Sequence, residues 1–262
     1  MSDIKLIQGD CLEVMQDLID DNVKVDMVLT DPPYGVLTAK WDYIIPLEPM
    51  WKCINKISKE KAPTLLFSND VFGVLLKQSN IKNYKYQWVW NKEYSTNFML
   101  AKKRPLIPLE YINVFYRKQP TYNPQRRPKT IDYDGTRNSE GDKKIRAIHD
   151  DVIYGTCHIQ RWYIDDGTRY PINYLEYNSQ RADTNNLNRF HPSQKPIELL
   201  EYFIKTYTNE NDVVLDFTMG SGSTGVACLN TGRNFIGIEL EQEYYEIAEQ
   251  RIKEAKAQRR LI

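Results

Sequence analysis

Apolar residues never run uninterrupted for the ~20 positions that a membrane-crossing helix needs, so no such span is expected. The opening MSDIKLIQGD carries no basic segment followed by an apolar run, so no secretory leader is expected and a cytoplasmic setting is implied. Cysteine is sparse and scattered: Cys11, Cys53, Cys157 and Cys228 form no CxxC pair, and the chain has only three histidines. That composition excludes a disulfide framework and a structural zinc site; free thiols and no metal are expected. No GxxxxGK[ST] occurs, which excludes a P-loop. Charge of one sign is also missing, because 35 basic residues balance 35 acidic ones. A neutral total can still hide a basic face, so the distribution decides more than the sum. There is no internal repeat and no low-complexity tract.

What is present is an ordinary globular balance, 41% hydrophobic and 27% charged over 262 residues, enough for one α/β domain with a smaller appendage. Residues 25–30 (VDMVLT) read as a buried strand stopped by Pro32 and Pro33. Residues 63–68, 86–90 and 111–116 are further strands, rich in β-branched and aromatic residues. Strands alternating with helical segments predict parallel βαβ units. From about 119 to 188 apolar residues thin out, which marks a lobe or functional insertion rather than a simple connection. Order returns with a helix over 196–207, its apolar face Ile197, Leu200, Phe203, Ile204 and Tyr207. A strand at 213–216, a helix near 224–230, a strand at 235–239 and a charged helix from about 241 to 258 follow. The inner face of that last helix is expected to be Tyr244, Ile247, Ala248 and Ile252.

Gly220, Gly222 and Gly225 satisfy GxGxxG between a strand and a helix. Such glycines let the backbone approach a ligand, and Glu239 at the end of the next strand could accept from ribose hydroxyls. The same pattern also serves as a tight turn packing a helix on a sheet. Only 23 residues follow Glu239, enough for one helix. The remaining strands must come from upstream, which conflicts with an ordinary dinucleotide oxidoreductase and fits a circularly permuted sheet.

Asp31-Pro32-Pro33-Tyr34 (DPPY), at the end of an apolar strand, resembles the catalytic motif of the amino-group DNA methyltransferases. Residues 216–224 (DFTMGSGST) resemble that family's cofactor loop, DPFxGSGTT, and residues 191–196 (HPSQKP) are similar to its HPTQKP segment. Residues 9–12 (GDCL) match a further cofactor element. Catalytic motif first and cofactor loop last is the order of the β class. The resemblance covers roughly 1–118 and 190–255. It implies a doubly wound, mostly parallel, Rossmann-like α/β fold of the S-adenosylmethionine-dependent methyltransferase type, circularly permuted, with an inserted DNA-recognition lobe. The domains would then be a catalytic half at 1–118, a target-recognition insertion at 119–188 and a cofactor half at 189–262.

The chemistry has a physical reason. The exocyclic nitrogen of adenine or cytosine is a poor nucleophile because its lone pair is delocalised into the ring. Two acceptors on its N–H groups, the Asp31 carboxylate and the Pro32 carbonyl, would localise that pair; Pro33 would keep the turn rigid and Tyr34 would stack on the flipped base. The resemblance implies S-adenosylmethionine as cofactor, with Asp10 and Cys11 near its adenine and Glu239 on its ribose. Lys195, Ser223 and Thr224 would face its methionine carboxylate, along the loop of Gly220, Ser221 and Gly222. This chain reads DFT where the family has DPF, so which residue takes the place of the family's phenylalanine is open; Phe217 is the candidate.

The hidden basic face lies between 117 and 146, where nine basic residues meet four acidic ones and Tyr122 and Tyr133 interleave. Tyr122, Arg126, Arg127 and Lys129 are the candidate contacts to double-stranded DNA, although a charge-rich loop is as readily a solvated one. Gly35–Asp42 could close over the flipped base, with Trp41 a DNA contact or an ordinary packing residue. The resemblance also leaves room for a homodimer and a cognate restriction enzyme. Asp at the head of the tetrapeptide favours adenine N6, since N4-cytosine members more often carry Ser there; cytosine N4 is the alternative. RNA, a protein amide, and a non-catalytic DNA-binding module are more distant readings.

Overall fold

The structure, a computed structural model, describes residues 2–36, 42–93, 95, 98–128, 144–146, 162–164, 167–178 and 194–259, with 144–146 and 162–164 described by backbone alone. Two compact units result, Met1–Asn123 with Ile172–Ile262, and Pro124–Pro171. In chain order the elements begin with β1 (Ile4–Gln8), α1 (Cys11–Asp20), β2 (Met27–Thr30), α2 (Leu47–Ile57), β3 (Thr64–Ser68) and α3 (Asp70–Ser79). They continue with β4 (Tyr84–Asn91), a 3-10 turn (Phe98–Leu100), β5 (Leu109–Phe115), β6 (Arg127–Pro128), β7 (Lys144–Arg146), β8 (Trp162–Ile164), β9 (Thr168–Arg169) and β10 (Tyr174–Glu176). The last are α4 (Ile197–Tyr207), β11 (Val213–Asp216), α5 (Ser223–Thr231), β12 (Asn234–Glu239) and α6 (Gln242–Gln258).

The larger unit is built on an eight-stranded sheet ordered β1-β12-β11-β2-β3-β5-β4-β10. The central strands β2 and β3 are buried along their whole length, as parallel strands covered on both faces must be. One face carries α1, α2 and α3, whose Met15, Leu18, Met50, Trp51, Ile54 and Phe72 pack with Val28, Leu66 and Ile238. The other carries α4, α5 and α6, whose Leu199, Phe203, Ala227, Leu229, Ala248 and Ile252 pack with Met27, Leu65 and Phe235. Local sequence explains where the helices begin. Asp10 caps α1 by accepting from the Leu12 and Glu13 amides, and Asn69 caps α3 by accepting from Phe72.

The permutation expected from the chain's end is visible in the order. β11 and β12, the last strands in sequence, lie between β1 and β2. From β11 the chain crosses through α5 to β12 on one side; from β2 it crosses through α2 to β3 on the other, over the opposite face. Adjacent strands whose crossovers depart in opposite directions leave a crevice beyond their C-terminal ends. That crevice lies beyond Thr30 and Asp216.

The sheet is mostly parallel, as expected, with β5 antiparallel to both β3 and β4. β5 returns from β4 past the 3-10 turn, without an α-helical crossover among the described residues, and such a return reverses the strand. Two expectations are corrected. The smaller unit is narrower than the expected 119–188 insertion: Tyr174–Glu176 pairs in parallel with β4, so the chain has rejoined the main sheet by then. On α6, Ala248 and Ile252 are buried as expected, but Arg251 is buried with them and Ile247 only partly so. Within the smaller unit, β6 pairs with β9 and β7 with β8, both antiparallel.

Gly225 has a steric reason. A Cβ there would stand 2.5 Å from Ile252 Cδ1 and 2.9 Å from Phe235 Cε1, so α5 can approach β12 and α6 only without a side chain. Gly225→Val is therefore expected to destabilise the fold by about 2 kcal/mol through overpacking, read as a lowered urea midpoint. An unchanged midpoint would show that the contact yields freely.

Candidate active site

The two halves of the site are stitched together by side chains at the ends of β2 and β11. The Thr30 hydroxyl donates to Asp216 Oδ1 at 2.5 Å and lies 2.8 Å from the Thr218 hydroxyl. Thr224, in the first turn of α5, donates to Asp216 Oδ2 at 2.6 Å. Thr218 in turn donates to the Asp31 carbonyl at 3.2 Å. Asp216 is buried, which pushes its carboxyl up to about 6 even with these donors around it.

Beyond the stitch lies a cavity of about 410 Å³ lined from both halves. At its catalytic end the Asp31 carboxylate accepts from the Tyr34 hydroxyl and, at 2.5 Å, from Lys195 Nζ just before α4. Lys195 lies 3.5 Å from Glu110 Oε2, and Lys92 donates to Glu110 Oε1 at 2.8 Å. Two carboxylates and two ammoniums thus share a buried patch. Burial pushes the Asp31 carboxyl up, partly offset by Lys195. Burial would strip Lys195 of its proton, but Asp31 and Glu110 outweigh that and keep it charged. The Tyr34 ring stacks on Phe72 at 5.3 Å. Behind it, the Asp42 carboxylate accepts from three successive backbone amides, Tyr34 at 2.8 Å, Gly35 at 2.9 Å and Val36 at 2.7 Å. Gly35 has φ +69, a turn that glycine adopts without strain.

At the other end the glycine loop is held from behind. Glu239 accepts from the Gly220 amide at 2.8 Å and from the Glu241 amide at 2.9 Å. Buried Arg251 donates to the Ser221 carbonyl, the Ser221 hydroxyl and the Ser223 hydroxyl. The Gly9 amide donates to the Glu239 carbonyl, which brings Asp10 to the same rim.

Residues 25–250 match the family model N6_N4_Mtase, described as DNA methylase. The chain belongs to the N6/N4 DNA methylase family. It is 26% identical over 255 residues to the type II methyltransferase M1.MboII of Moraxella bovis, covering 92% of this chain and 93% of that protein. Among solved structures, the M1.HpyAVI–SAM complex matches with a TM-score of 0.62 at 25% identity, covering 95% of this chain and 99% of that one. The PvuII DNA methyltransferase, described as cytosine-N4-specific, shares the fold with a TM-score of 0.65 at 16% identity, over 98% of this chain and 92% of that one. The sheet, with its single reversed strand, is the Rossmann-like fold of the S-adenosylmethionine-dependent DNA methyltransferases.

In the methylase, Asp31, Pro32, Pro33, Tyr34, Asp10, Cys11, Lys195, Phe217, Gly220, Ser221, Ser223, Thr224 and Glu239 all line the one cavity. Gly222 does not; with φ +80 it begins α5, and a Cβ there would press on Ala248. Lys195, expected beside a methionine carboxylate, seats its ammonium on Asp31, and the Thr224 hydroxyl is turned to Asp216. The Cys11 thiol is pushed up to about 12 by burial and by Asp10, so it is no nucleophile near neutral pH. Tyr122 lies off the cavity, its ring against Tyr207 at 6.1 Å. Arg126 sits over the Tyr170 ring at 4.7 Å, and Arg127 pairs with Arg169 across β6 and β9. Trp41, Lys129, Tyr133 and His191–Ser193 lie outside the described residues. Among the described residues no His/Cys/Asp/Glu group could hold a metal, and no helix is long and apolar enough to cross a membrane.

Reading the sequence missed Asp42, Lys92 and Glu110. A charge at position 110, near the start of the mostly apolar run LEYINVF, was the available signal. Asp42 braces the catalytic turn, so Asp42→Ala is expected to lower stability by about 2 kcal/mol, the loss of charge-assisted bonds to backbone, and to slow methyl transfer by about 10-fold. Urea melts and single-turnover rates measure the two effects, and an unaffected rate would leave Asp42 as a fold residue only.

Proposed function

We propose that this methylase transfers the methyl group of S-adenosylmethionine to the N6 amino group of adenine in duplex DNA. The observation that carries the reading is that the Asp31 carboxylate and the backbone loop between β11 and α5 line the same cavity. The loop fits the cofactor. Gly220 lines the cavity with φ +51, and no atom lies within 4 Å of where its Cβ would stand, so a ligand can rest against its backbone. Asp10 and Glu239 form the carboxylate rim for the adenosine hydroxyls and ring, with Phe217 and Tyr244 as walls. When bound, S-adenosylmethionine supplies a sulfonium methyl that the amino nitrogen takes in a direct in-line displacement.

The chain's own residues prepare that nitrogen. Asp31 and the Pro32 carbonyl accept its two N–H groups and localise the lone pair. Tyr34, braced by Asp42, holds the extruded base by stacking. The DNA methyltransferase relatives support duplex DNA as the substrate. Arg126 and Arg127, in the basic stretch 117–146, supply phosphate contacts, and the 124–171 unit reads the sequence. Cytosine N4 is the second reading, favoured by one observation: a neighbour described as cytosine-N4-specific has the same fold. Asp rather than Ser at position 31 supports adenine.

Two measurements test this. A nucleoside digest of methylated plasmid, weighed by mass spectrometry, is expected to contain N6-methyladenine; N4-methylcytosine alone would overturn the base assignment. Asp31→Ala is expected to lose at least ~10²-fold in rate while binding S-adenosylmethionine normally by calorimetry. A variant as fast as the parent would remove Asp31 from the chemistry.

A further inference from the structure

Lys195 poses a difficulty for the reading above. Its ammonium occupies Asp31 Oδ2 at 2.5 Å, and the Tyr34 hydroxyl occupies Oδ1. Asp31 is the acceptor needed by the incoming amino group, yet both of its oxygens are already engaged. Each carboxylate oxygen can accept a second hydrogen bond, but an ammonium at 2.5 Å draws the charge of Asp31, so Asp31 polarises the amino group fully only if the ammonium has another buried partner.

The structure supplies one. Glu110 Oε2 is buried and faces Lys195 Nζ at 3.5 Å, an ion pair too long for a good hydrogen bond. Its other oxygen is fixed by Lys92 at 2.8 Å, so the waiting oxygen is held in place rather than free to swing away. The Lys195 ammonium also lies 5.2 Å from the Phe67 ring centroid, a surface along which a cation slides without losing all its stabilisation.

We propose that Glu110 is a positioning residue, the second seat for the Lys195 ammonium. When the target amino group enters, Nζ leaves Asp31 Oδ2 for Glu110 Oε2, and Asp31 becomes free to accept an N–H. The motion needed is small, and the ammonium is never left without a carboxylate. Burial pushes the Glu110 carboxyl up, but Lys195 and Lys92 together outweigh it and hold the carboxyl below its ordinary value, so the seat stays ionised. The inference rests on Asp31 acting as the amino-group acceptor. It concerns Glu110, which that reading does not use.

The test is Glu110→Gln in the full-length enzyme, an isosteric change that keeps the shape and removes the seat's charge. The kcat for DNA methylation is expected to fall about 10-fold, with affinity for S-adenosylmethionine within about twofold of the parent. The pH profile separates positioning from structure. Asp31 is faced by Lys195 before α4, Glu110 on β5, Tyr34 on its own loop and Asp216 on β11, while Lys92 after β4 pairs with Glu110. Glu110's negative charge raises the Asp31 carboxyl, so neutralising it lowers that carboxyl. A group that must be deprotonated to act then fails only at lower pH. The acidic limb of kcat is therefore expected to move to lower pH in Glu110→Gln, whereas Glu110→Asp, which keeps the charge at shorter reach, leaves the limb in place and recovers most of the rate. A Glu110→Gln enzyme with the parent's kcat and limb overturns the inference. So does a slow one whose limb has not moved and whose rate Glu110→Asp fails to recover, because that is a packing defect. If Glu110→Gln does not fold, Glu110→Asp decides: parent limb with most of the rate supports the seat, and a large loss overturns it. A parent enzyme that transfers no methyl to DNA overturns the functional reading itself, while an active parent with an indifferent Glu110→Gln overturns only this inference.

Discussion

Everything in the site depends on one buried carboxylate, Asp216. It receives the hydroxyls of Thr30 and Thr224 and the amide of Thr218, so the catalytic strand, the glycine loop and the first turn of α5 meet on its two oxygens. A buried acid is costly, and burial lifts this one to about 6. Three donors are the reason it can remain there. The return is registration: residues 186 apart in sequence are held at 2.5 Å, which fixes the distance between Asp31 and the glycine loop. A transfer reaction between two bound partners is sensitive to that distance more than to any single contact.

The stitch explains why the permutation is harmless. In a doubly wound sheet the ligand crevice lies where two neighbouring strands send their crossovers opposite ways. β11 and β2 meet that condition whichever comes first along the chain, because the condition concerns neighbours in the sheet and not order in sequence. The elements built on β2 and on β11 can therefore exchange places in the sequence while the crevice stays the same.

Much of this was legible in the sequence, for identifiable reasons. The DPPY end of β2, the glycine loop and the position of Glu239 rest on local rules: proline ends a strand, glycine permits close approach, and a strand end presents its side chain to the crevice. Thirteen of the fourteen cavity residues expected from motifs do line the cavity; the exception, Gly222, serves helix packing instead. What local rules could not give was partnership. Lys195 stood in a recognisable segment, but its choice of Asp31 depends on residues 164 apart. Asp42 looked like the end of a loop, and only the folded turn aims three amides at it. The return of β10 to the sheet edge was equally hidden, since three residues carry no periodicity of their own.

The direction of β5 connects these points. Parallel strands deliver their C-terminal ends to the crevice, so a reader expecting βαβ units looks for functional residues after strands. β5 runs the other way between β3 and β4, with Trp90 opposite Glu110 and Ser68 opposite Tyr111. It therefore delivers its first residues to the catalytic end, and Glu110 arrives there beside Lys92 from the end of β4. Two opposite charges on neighbouring strand ends neutralise each other where either alone would be expelled from a buried site. The reversed strand thus places a carboxylate within reach of Lys195, which a parallel strand in the same position would have carried to the far edge of the sheet.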